Sequence, residues 1–578
     1  MSEQQQSNNN SNDELIDQDI KIVLDDLKAL LSTTSLFSKK KAVEKFNNSF
    51  INNVSKFDNN DIFMNHLFEP LNNLTLDSLE KCRTISLELL LLSSNNLKSF
   101  PTCINRLLFT LETISKTEQV EELQILNIKL LDKIIEIGSV ESISTITDRI
   151  VNIFKNTLSK NIPELKESTL KSISKLSEKV PNRIKYYSSE LISKLIECLG
   201  DRHQRVRSES LYALSSLVNS GSIKIIDTLE DHLVLLANDQ SSLVKITCCK
   251  CIQSWITNIG QPIRQYYHFL LFNLISLSTS DILPIKQEAI NALNSLNKSS
   301  SGDSEIDISD IDMDQRKELI NDFRNIKSLV NSNNSHLKYI KNTFGNVDID
   351  DQIGLIIFQH SQAIMKYYYR TIHDHQLNSV VREYKLSFLI ALICYLGKSN
   401  AIRYIDAIMQ ILIVYQIDTS VDSITTKYKE LVILLGHLIP LSIMLPRVTE
   451  LVKQQLQDQN DLSIIKSLLL ILNLYFIGFK SSSSSALQEK KKEFENNQQE
   501  KQEFKNLLSL LLSLQSKGLF VLDDGSCLLS AIFIDSIFTK ENIHTDTLLK
   551  LLNNSNNNLL NENISKSIGF LSWNDIKK

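Results

Sequence analysis

A helical pattern recurs three times between residues 184 and 298, and each copy carries a basic residue at the same position. The basic residues are Arg207, Lys245 and Lys286, and the steps between them are 38 and 41 residues. Three positions after each base comes a small residue, and twelve positions before it comes a leucine: Ser210, Cys248, Ala289, Leu195, Leu233 and Leu274. A period of this length built from two helices is typical of HEAT and armadillo repeats.

Each of these helical hairpins is apolar on one face only. A hairpin of this kind cannot bury its apolar face alone, so neighbouring hairpins must stack. Glycine (13) and proline (8) are scarce in the 578 residues, which argues against a fold rich in β-turns. The sequence therefore predicts an all-α protein, an α-α superhelix of the HEAT/armadillo-type solenoid class.

An acidic residue stands six positions before the base in several repeats. The pairs are Asp201 with Arg207, Asp239 with Lys245 and, further upstream, Asp77 with Arg83. An acid in the turn between two helices can cap the second helix, and the base can bond the acid of the next repeat. We therefore predict a structural ladder along the array that consists of Asp77, Arg83, Asp201, Arg207, Asp239, Lys245 and Lys286.

Changes in composition divide the chain into six predicted segments. Asn- and Gln-rich, Ser- and Asp-rich or highly charged stretches favour tails and linkers, whereas apolar periodicity favours helices. The segments are a disordered tail (1–13), an N-terminal HEAT array of about seven hairpins (14–298), an acidic linker (299–314), a second, irregular helical array (315–479), a charged low-complexity loop (480–505) and C-terminal helices (506–578).

Charge and hydropathy restrict the partners and the compartment. The net charge is −5, whereas a nucleic-acid-binding protein normally shows a basic surface, so we expect no nucleic-acid partner. No stretch reaches the roughly 20 apolar residues of a membrane span. The first residues are polar and lack the apolar core of a secretory signal, and the eight cysteines are scattered. We therefore expect a reduced, cytoplasmic protein.

Few residues have the spacing that metal or nucleophilic chemistry requires. Cys248 and Cys251 share a helix face, but a structural zinc site needs four ligands, and sister repeats have Ser or Ala at these positions. They are predicted to be small core residues. Cys394 has no identifiable base partner. No glycine-rich phosphate loop and no hydrolase or metalloprotease motif is present. We expect no catalytic residue, no metal and no cofactor, and hence no enzyme.

Two further groups of side chains have a structural and a functional interpretation. His373-Asp374-His375 is either a metal-binding loop or a polar helix end, and the second is favoured. Trp255 occupies a position held by leucine in the sister repeats, so it is predicted to be core. Tyr266 and Tyr267 are either core residues or anchors for a partner peptide, and the sequence leaves both open.

Residues 184–298 resemble the HEAT-repeat family of dynein axonemal assembly factors, the fifth such factor in particular. The resemblance is carried by Arg205-Val206-Arg207, Gly221, Asp239, Trp255 and Tyr266-Tyr267, and more loosely by Glu80-Lys81-Cys82-Arg83. It implies a cytosolic scaffold without catalytic residues. Such a scaffold helps dynein chains to fold and assemble, and its expected partners are dynein chains and their co-chaperones.

The repeat pattern alone permits other functions. A nuclear transport receptor or a phosphatase regulatory scaffold has the same architecture, and an acidic surface suits basic cargo. An enzyme within residues 315–578 is a third hypothesis, because the helices there cannot be assigned to repeat positions. The surface residues of repeats diverge while their cores keep the pattern, so the sequence does not define the binding face.

Overall fold

The computed structural model describes residues 18–57, 62–298, 312–332, 334–344, 351–372, 379–414, 422–458 and 462–480. Within these ranges the regular structure is helical throughout, and the predicted all-α solenoid class is confirmed. The predicted tail (1–13), most of the acidic linker, residues 481–505 of the charged loop, the C-terminal helices and His373–His375 lie outside the described residues. The predicted segment boundaries therefore remain predictions.

The chain forms two compact units, residues 1–263 and 264–578. The α-helices of the first unit are α1 (Gln18–Ser32), α2 (Leu36–Asn53), α3 (Phe68–Leu74), α4 (Glu80–Asn96), α5 (Ile104–Thr117), α6 (Glu121–Ile137), α7 (Val140–Leu158), α8 (Pro163–Lys179), α9 (Pro181–Ile184), α10 (Ser188–Leu199), α11 (Gln204–Asn219), α12 (Ile225–Ala237) and α13 (Ser242–Ile259). Short 3-10 or π turns precede or follow several of them, at Val54–Lys56, Phe63–Leu67, Phe100–Cys103 and Lys185–Tyr187.

The α-helices of the second unit are α14 (Tyr267–Leu277), α15 (Leu283–Lys298), α16 (Met313–Asn331), α17 (Lys338–Phe344), α18 (Asp351–Ile372), α19 (Ser379–Arg403), α20 (Ile405–Val414), α21 (Asp422–Leu438), α22 (Leu441–Asp458) and α23 (Leu462–Lys480). Helix α19 is interrupted at Gly397, where φ is +81°. None of the described helices is both long enough and apolar enough to cross a membrane.

The first unit is built from helical hairpins whose second helices stack on one another. These second helices, called here the B layer, are α2, α4, α6, α8, α11 and α13, and each packs against the next along the chain. Their partners in the hairpins are α1, α3, α5, α7, α10 and α12. The B layer is therefore one continuous layer of stacked helices, and each repeat contributes one helix to its surface.

The repeat positions found in the sequence lie in the core. Leu195 and Leu233 are fully buried in the first helices of their hairpins, and Trp255 is fully buried in α13. The small residues keep the two helices of a hairpin close together: the Ser210 hydroxyl donates to the Leu195 carbonyl oxygen at 2.5 Å. A larger residue there would leave its polar neighbours unpaired or force the helices apart.

The core of the second unit is rich in aromatic rings. The rings of Tyr267 and His360 meet edge to face at 5.0 Å, and those of Phe272 and Phe388 lie 4.4 Å apart. Burial lowers the pKa of His360 to about 4, so this ring is neutral at physiological pH. Tyr266 and Tyr267 are 7% and 6% exposed, which makes both of them core residues rather than surface anchors.

Paired charges inside the second unit tie α17, α19 and α21 together. The Glu430 carboxylate accepts hydrogen bonds from the backbone N–H groups of Tyr339 and Ile340, at 2.8 and 2.9 Å, at the start of α17. One turn earlier on α21, the Lys427 ammonium donates to Glu383 at 2.7 Å. Burial raises the pKa of Glu430, although the two backbone hydrogen bonds oppose that shift. Each of these buried charges has a partner, as burial requires.

Helices α21 and α23 touch through two glycines. A Cβ atom added at Gly436 would lie 2.1 Å from the Tyr475 carbonyl oxygen, and one added at Gly478 would lie 2.0 Å from the Ile433 carbonyl oxygen. Real Cβ atoms do not approach backbone this closely. The contact therefore depends on the absence of a side chain at both positions, which lets the two backbones approach each other directly.

We predict that Gly436→Ala destabilises the second unit by about 3 kcal/mol, because the added methyl group must push α23 away from α21. Gly200→Ala is the matched control: its Cβ would meet only the Glu197 carbonyl oxygen, at 3.6 Å. Differential scanning calorimetry of the full chain measures both. Equal shifts of the unfolding midpoint in the two variants would contradict the close approach of α21 and α23.

Candidate functional site

The turns between the two helices of a hairpin are joined by an ion pair that crosses from one repeat to the next. The Arg207 guanidinium, in the first turn of α11, donates two hydrogen bonds of 2.7 Å to the Asp239 carboxylate in the following turn. Its third nitrogen donates to the carbonyl oxygens of Asp201 and Arg202, at 2.8 and 3.0 Å. A bidentate pair of this kind fixes orientation as well as distance.

The same geometry recurs at other repeats. Arg83 donates to Glu118 at 2.7 Å and to the carbonyl oxygen of its own turn, at Asp77, at 3.0 Å. Lys166 reaches Asp201 at 3.0 Å. Lys39 reaches Asp77 at 2.5 Å. The structure thus brings the predicted acids together with bases of the preceding repeat, and three partners that the sequence did not identify are Lys39, Glu118 and Lys166.

Each acid also holds the start of its own B-layer helix. Backbone N–H groups two residues further on donate to Asp77, Asp201 and Asp239 at 2.8 to 2.9 Å. Burial alone would raise the pKa of the Asp201 carboxyl, but these hydrogen bonds and the Lys166 ammonium outweigh it and lower that pKa below its ordinary value. The pKa of Asp77 is lowered in the same way, against the effect of burial.

One repeat replaces the ion pair by hydrogen bonds to a backbone carbonyl group. Gln124 occupies the position of the base, and its amide donates to the Glu118 carbonyl oxygen at 2.6 Å. Lys160 occupies the position of the acid in the following turn and donates to the same carbonyl oxygen at 3.1 Å. Because the base is replaced by a neutral amide and the acid by a lysine, a search for an acid six residues before a base passes over this repeat.

Lys245 and Lys286, the last two predicted members, have no carboxylate within ion-pair distance among the described residues. Burial lowers the pKa of Lys245, and the attraction of Asp239 opposes that shift. Burial also lowers the pKa of Lys286, which donates to the Thr343 carbonyl oxygen in the second unit. Neither lysine therefore forms the bidentate ion pair that Arg207 makes. Lys286 bonds a backbone carbonyl oxygen, and Lys245 is attracted by the Asp239 carboxylate beyond ion-pair distance.

The links set the spacing of the B layer, and the exposed face of that layer carries a groove of about 370 Å³. Helices α6, α8 and α11 form it. Its lining residues are Ile128, Lys129, Asp132, Ser168, Lys171, Ser172, Ser174, Lys175, Glu178, Glu209, Tyr212 and Ser216. Most of these side chains are polar or charged, with both signs represented, and one aromatic ring, Tyr212, lies among them.

Two ion pairs in the groove are already formed within the chain. The Lys175 ammonium of α8 donates to Asp132 of α6 at 2.6 Å, and the Ser172 hydroxyl donates to the same carboxylate at 3.1 Å. The Lys171 ammonium donates to Glu167 at 2.6 Å. The two ammonium groups and the two carboxylates of these pairs are therefore largely neutralised before any partner binds.

Glu209 differs from its neighbours in the groove. No hydrogen bond or ion pair engages its carboxylate within the part of the chain that the structure describes. Burial raises the pKa of this carboxyl, and the like charge of Glu167 also raises it. The Lys171 ammonium, which lies beyond ion-pair distance, lowers this pKa. Tyr212 lies three residues further along α11, on the same face. An ionisable group shifted in this way marks a candidate binding position.

Two of the cysteines that the sequence singles out lie in the core of the first unit. Cys248 and Cys251 are fully buried in α13, and burial raises the pKa of the Cys251 thiol to about 12. A thiol held protonated is a poor ligand and a poor nucleophile. No group of three or more His, Cys, Asp or Glu side chains in the described ranges could hold a metal ion.

The lowered pKa of Asp201 predicts how stability depends on pH. The ionised carboxylate stabilises the fold fully above the ordinary carboxyl pKa, and this contribution is lost as the pH falls through the lower folded-state pKa. Asp201→Asn should therefore cost roughly 1–3 kcal/mol at neutral pH, the cost of leaving a buried charged donor unpaired. The difference from the wild type should shrink towards pH 3.

Urea titrations at a series of pH values measure this difference. Asp227→Asn, which removes an exposed carboxylate at the start of α12, is the matched control and should change stability little at any pH. A stability difference for Asp201→Asn that stays constant from pH 7 to pH 3 would show that the carboxylate charge does not stabilise the turn.

Comparison with known proteins finds similarity to one family over residues 30–310. A family model described as dynein axonemal assembly factor 5-like, TPR repeats, matches residues 30–310. Dynein axonemal assembly factor 5 of Xenopus laevis is 22% identical over 248 residues, which are 42% of this chain and 29% of that protein. This chain therefore aligns with less than a third of the relative's length. The repeat steps of 38 and 41 residues exceed the 34 residues of a tetratricopeptide repeat.

Matches to solved structures are distant in sequence, and their TM-scores are low. The alignment with yeast importin-beta has 10% sequence identity and a TM-score of 0.40, and it covers 99% of this chain and 71% of importin-beta. Kap121p is 14% identical and covers 96% of this chain and 62% of its own length, with a TM-score of 0.38. The resemblance predicted from residues 184–298 is confirmed by the family match: residues 30–310 are similar to the dynein axonemal assembly factor 5-like family.

Proposed function

We propose that this chain is a non-enzymatic, cytosolic repeat scaffold that assists the preassembly of dynein complexes by binding dynein chains or their chaperones. The observation that carries the proposal is the family match over residues 30–310, because the same residues build the B layer and its groove. The relative that the chain matches is named as a dynein assembly factor. That name describes the relative, and its extension to this chain is part of the proposal.

The architecture suits a scaffold for protein chains. Stacked hairpins present one long surface in which every repeat contributes side chains, and each repeat contacts only its neighbours. The groove on α6, α8 and α11 contains a tyrosine, Tyr212, a residue type that is enriched in protein interfaces. Ion pairs join α4 to the turn before α6 and α8 to the turn before α11, and such links favour a preorganised face for a partner.

The proposal is tested by affinity purification of the tagged full chain, with quantitative mass spectrometry of the recovered proteins. We expect dynein chains and assembly chaperones among the enriched proteins. Tyr212→Ala, in the groove, should reduce their recovery roughly tenfold, as truncation of an interface aromatic does. The matched control is Phe109→Ala, which removes a ring that is 64% exposed on α5, away from the B layer.

The outcomes separate the proposed function from its rivals. Recovery of neither dynein chains nor their chaperones would overturn it. Recovery of nuclear-pore components or phosphatase subunits in their place would favour a transport receptor or a phosphatase scaffold. An equal loss of dynein chains in Tyr212→Ala and Phe109→Ala would contradict binding at the groove, because truncation of a ring outside the groove would then have the same effect.

A further inference from the structure

The groove on the B layer holds one acidic group whose charge the chain does not satisfy. Lys171 donates to Glu167 and Lys175 donates to Asp132, so both α8 lysines that line the groove already have carboxylate partners. The Glu209 carboxylate on α11 makes no hydrogen bond or ion pair with the described residues of either unit. The folded chain therefore keeps a half-buried acid next to cations that are bonded elsewhere.

This arrangement is unfavourable for the chain alone. Burial raises the pKa of the Glu209 carboxyl, which means that the surroundings destabilise its ionised form. A residue that costs stability at neutral pH without a structural partner is typical of a binding position. A cation placed against Glu209 would relieve this cost, because the pairing of opposite charges is stronger in a partly desolvated groove than in water.

The ring of Tyr212 makes the position suitable for a long cationic side chain. Residues three apart on a helix are neighbours, so Tyr212 and Glu209 lie side by side on α11, and both line the groove. An aromatic face attracts a guanidinium or an ammonium group and packs against its aliphatic stem. Ser168 of α8 and Ser216 of α11 also line the groove, where their hydroxyl groups can bond an extended backbone.

We propose that this groove binds an extended segment of a partner protein by receiving an arginine or lysine side chain between Glu209 and Tyr212. The proposal rests on the proposed scaffold function, and it names the chemistry of the partner at the same surface. Neighbouring helices lie about 8–10 Å apart, a distance that about three residues of an extended chain span. A segment that crosses from α6 to α11 would therefore contact the groove over about six residues.

The test uses purified full chain and a fluorescein-labelled nine-residue peptide of alternating arginine and serine, measured by fluorescence anisotropy. A second peptide carries citrulline in place of arginine and so keeps the shape without the charge. We expect the arginine peptide to bind and the citrulline peptide to bind at least about tenfold more weakly. Glu209→Gln and Tyr212→Ala should each weaken binding of the arginine peptide by about tenfold.

The control variant is Glu141→Gln, which removes an exposed carboxylate from α7, outside the B layer. It changes the net charge by the same amount as Glu209→Gln, so general attraction to the acidic chain predicts equal effects of the two variants. We expect Glu141→Gln to change the affinity less than about twofold. Equal losses in the two variants, or equal binding of the two peptides, would overturn the proposal.

The thermal midpoint distinguishes a binding role of Glu209 from a structural one. Because burial opposes ionisation of Glu209, Glu209→Gln should leave the midpoint unchanged or raise it. A lower midpoint together with weaker binding would show that Glu209 supports the fold, and the binding proposal would then fail. Synthetic peptides bind or do not bind independently of dynein, so this result and the recovery of dynein chains can fail separately.

Discussion

The buried link between successive turns is the interaction on which the rest of the first unit depends. A hairpin with one apolar face has no stable structure alone, so hairpins stack. Stacking brings the apolar faces together, but it does not by itself set their relative orientation. Hydrophobic contact is non-directional, so it does not define how far one hairpin rotates against the next. The bidentate pair between Arg207 and Asp239 does define this, because it requires one distance and one orientation of two turns.

The acid in each link acts twice. Asp239 accepts from Arg207 of the preceding repeat and from the Ser241 N–H at the start of its own helix. The position of one B-layer helix is therefore coupled to the turn before it. The pair between Lys166 and Asp201 couples α8 to α11, two of the helices that line the groove, in the same way. The unsatisfied carboxylate of Glu209 lies on a helix that such links hold from both sides.

The sequence predicted the side chains that recur in every hairpin and missed those that differ from one hairpin to the next. The positions of Leu195, Leu233 and Trp255 followed from the period, because packing demands the same size at the same depth in every hairpin. The partners Glu118 and Lys166 were missed, because the intervening repeat has Gln124 and Lys160 where the pattern expects a base and an acid. The side chains at these positions can change in charge while the backbone is kept, so the pattern alone does not reveal the links on either side.

The groove could not be predicted from the sequence for a different reason. Glu209 and Tyr212 lie on α11, whereas Asp132 and Lys175 lie on α6 and α8, and only the stacking brings them together. Tyr266 and Tyr267 show the converse: the sequence allowed them to be surface anchors, but the aromatic core of the second unit contains them. Exposure of an aromatic residue depends on the packing of distant segments, which periodicity does not specify.

The most direct test of the central claim is a double-mutant cycle on the link between two turns. Arg207→Met, Asp239→Asn and the double variant are compared with the wild type by urea unfolding of the full chain. Because the two side chains are 16% and 10% exposed, the account predicts a coupling energy of about 1.5–3 kcal/mol. Single-variant effects that add within about 0.3 kcal/mol would contradict it, since the two turns would then be held together by packing alone.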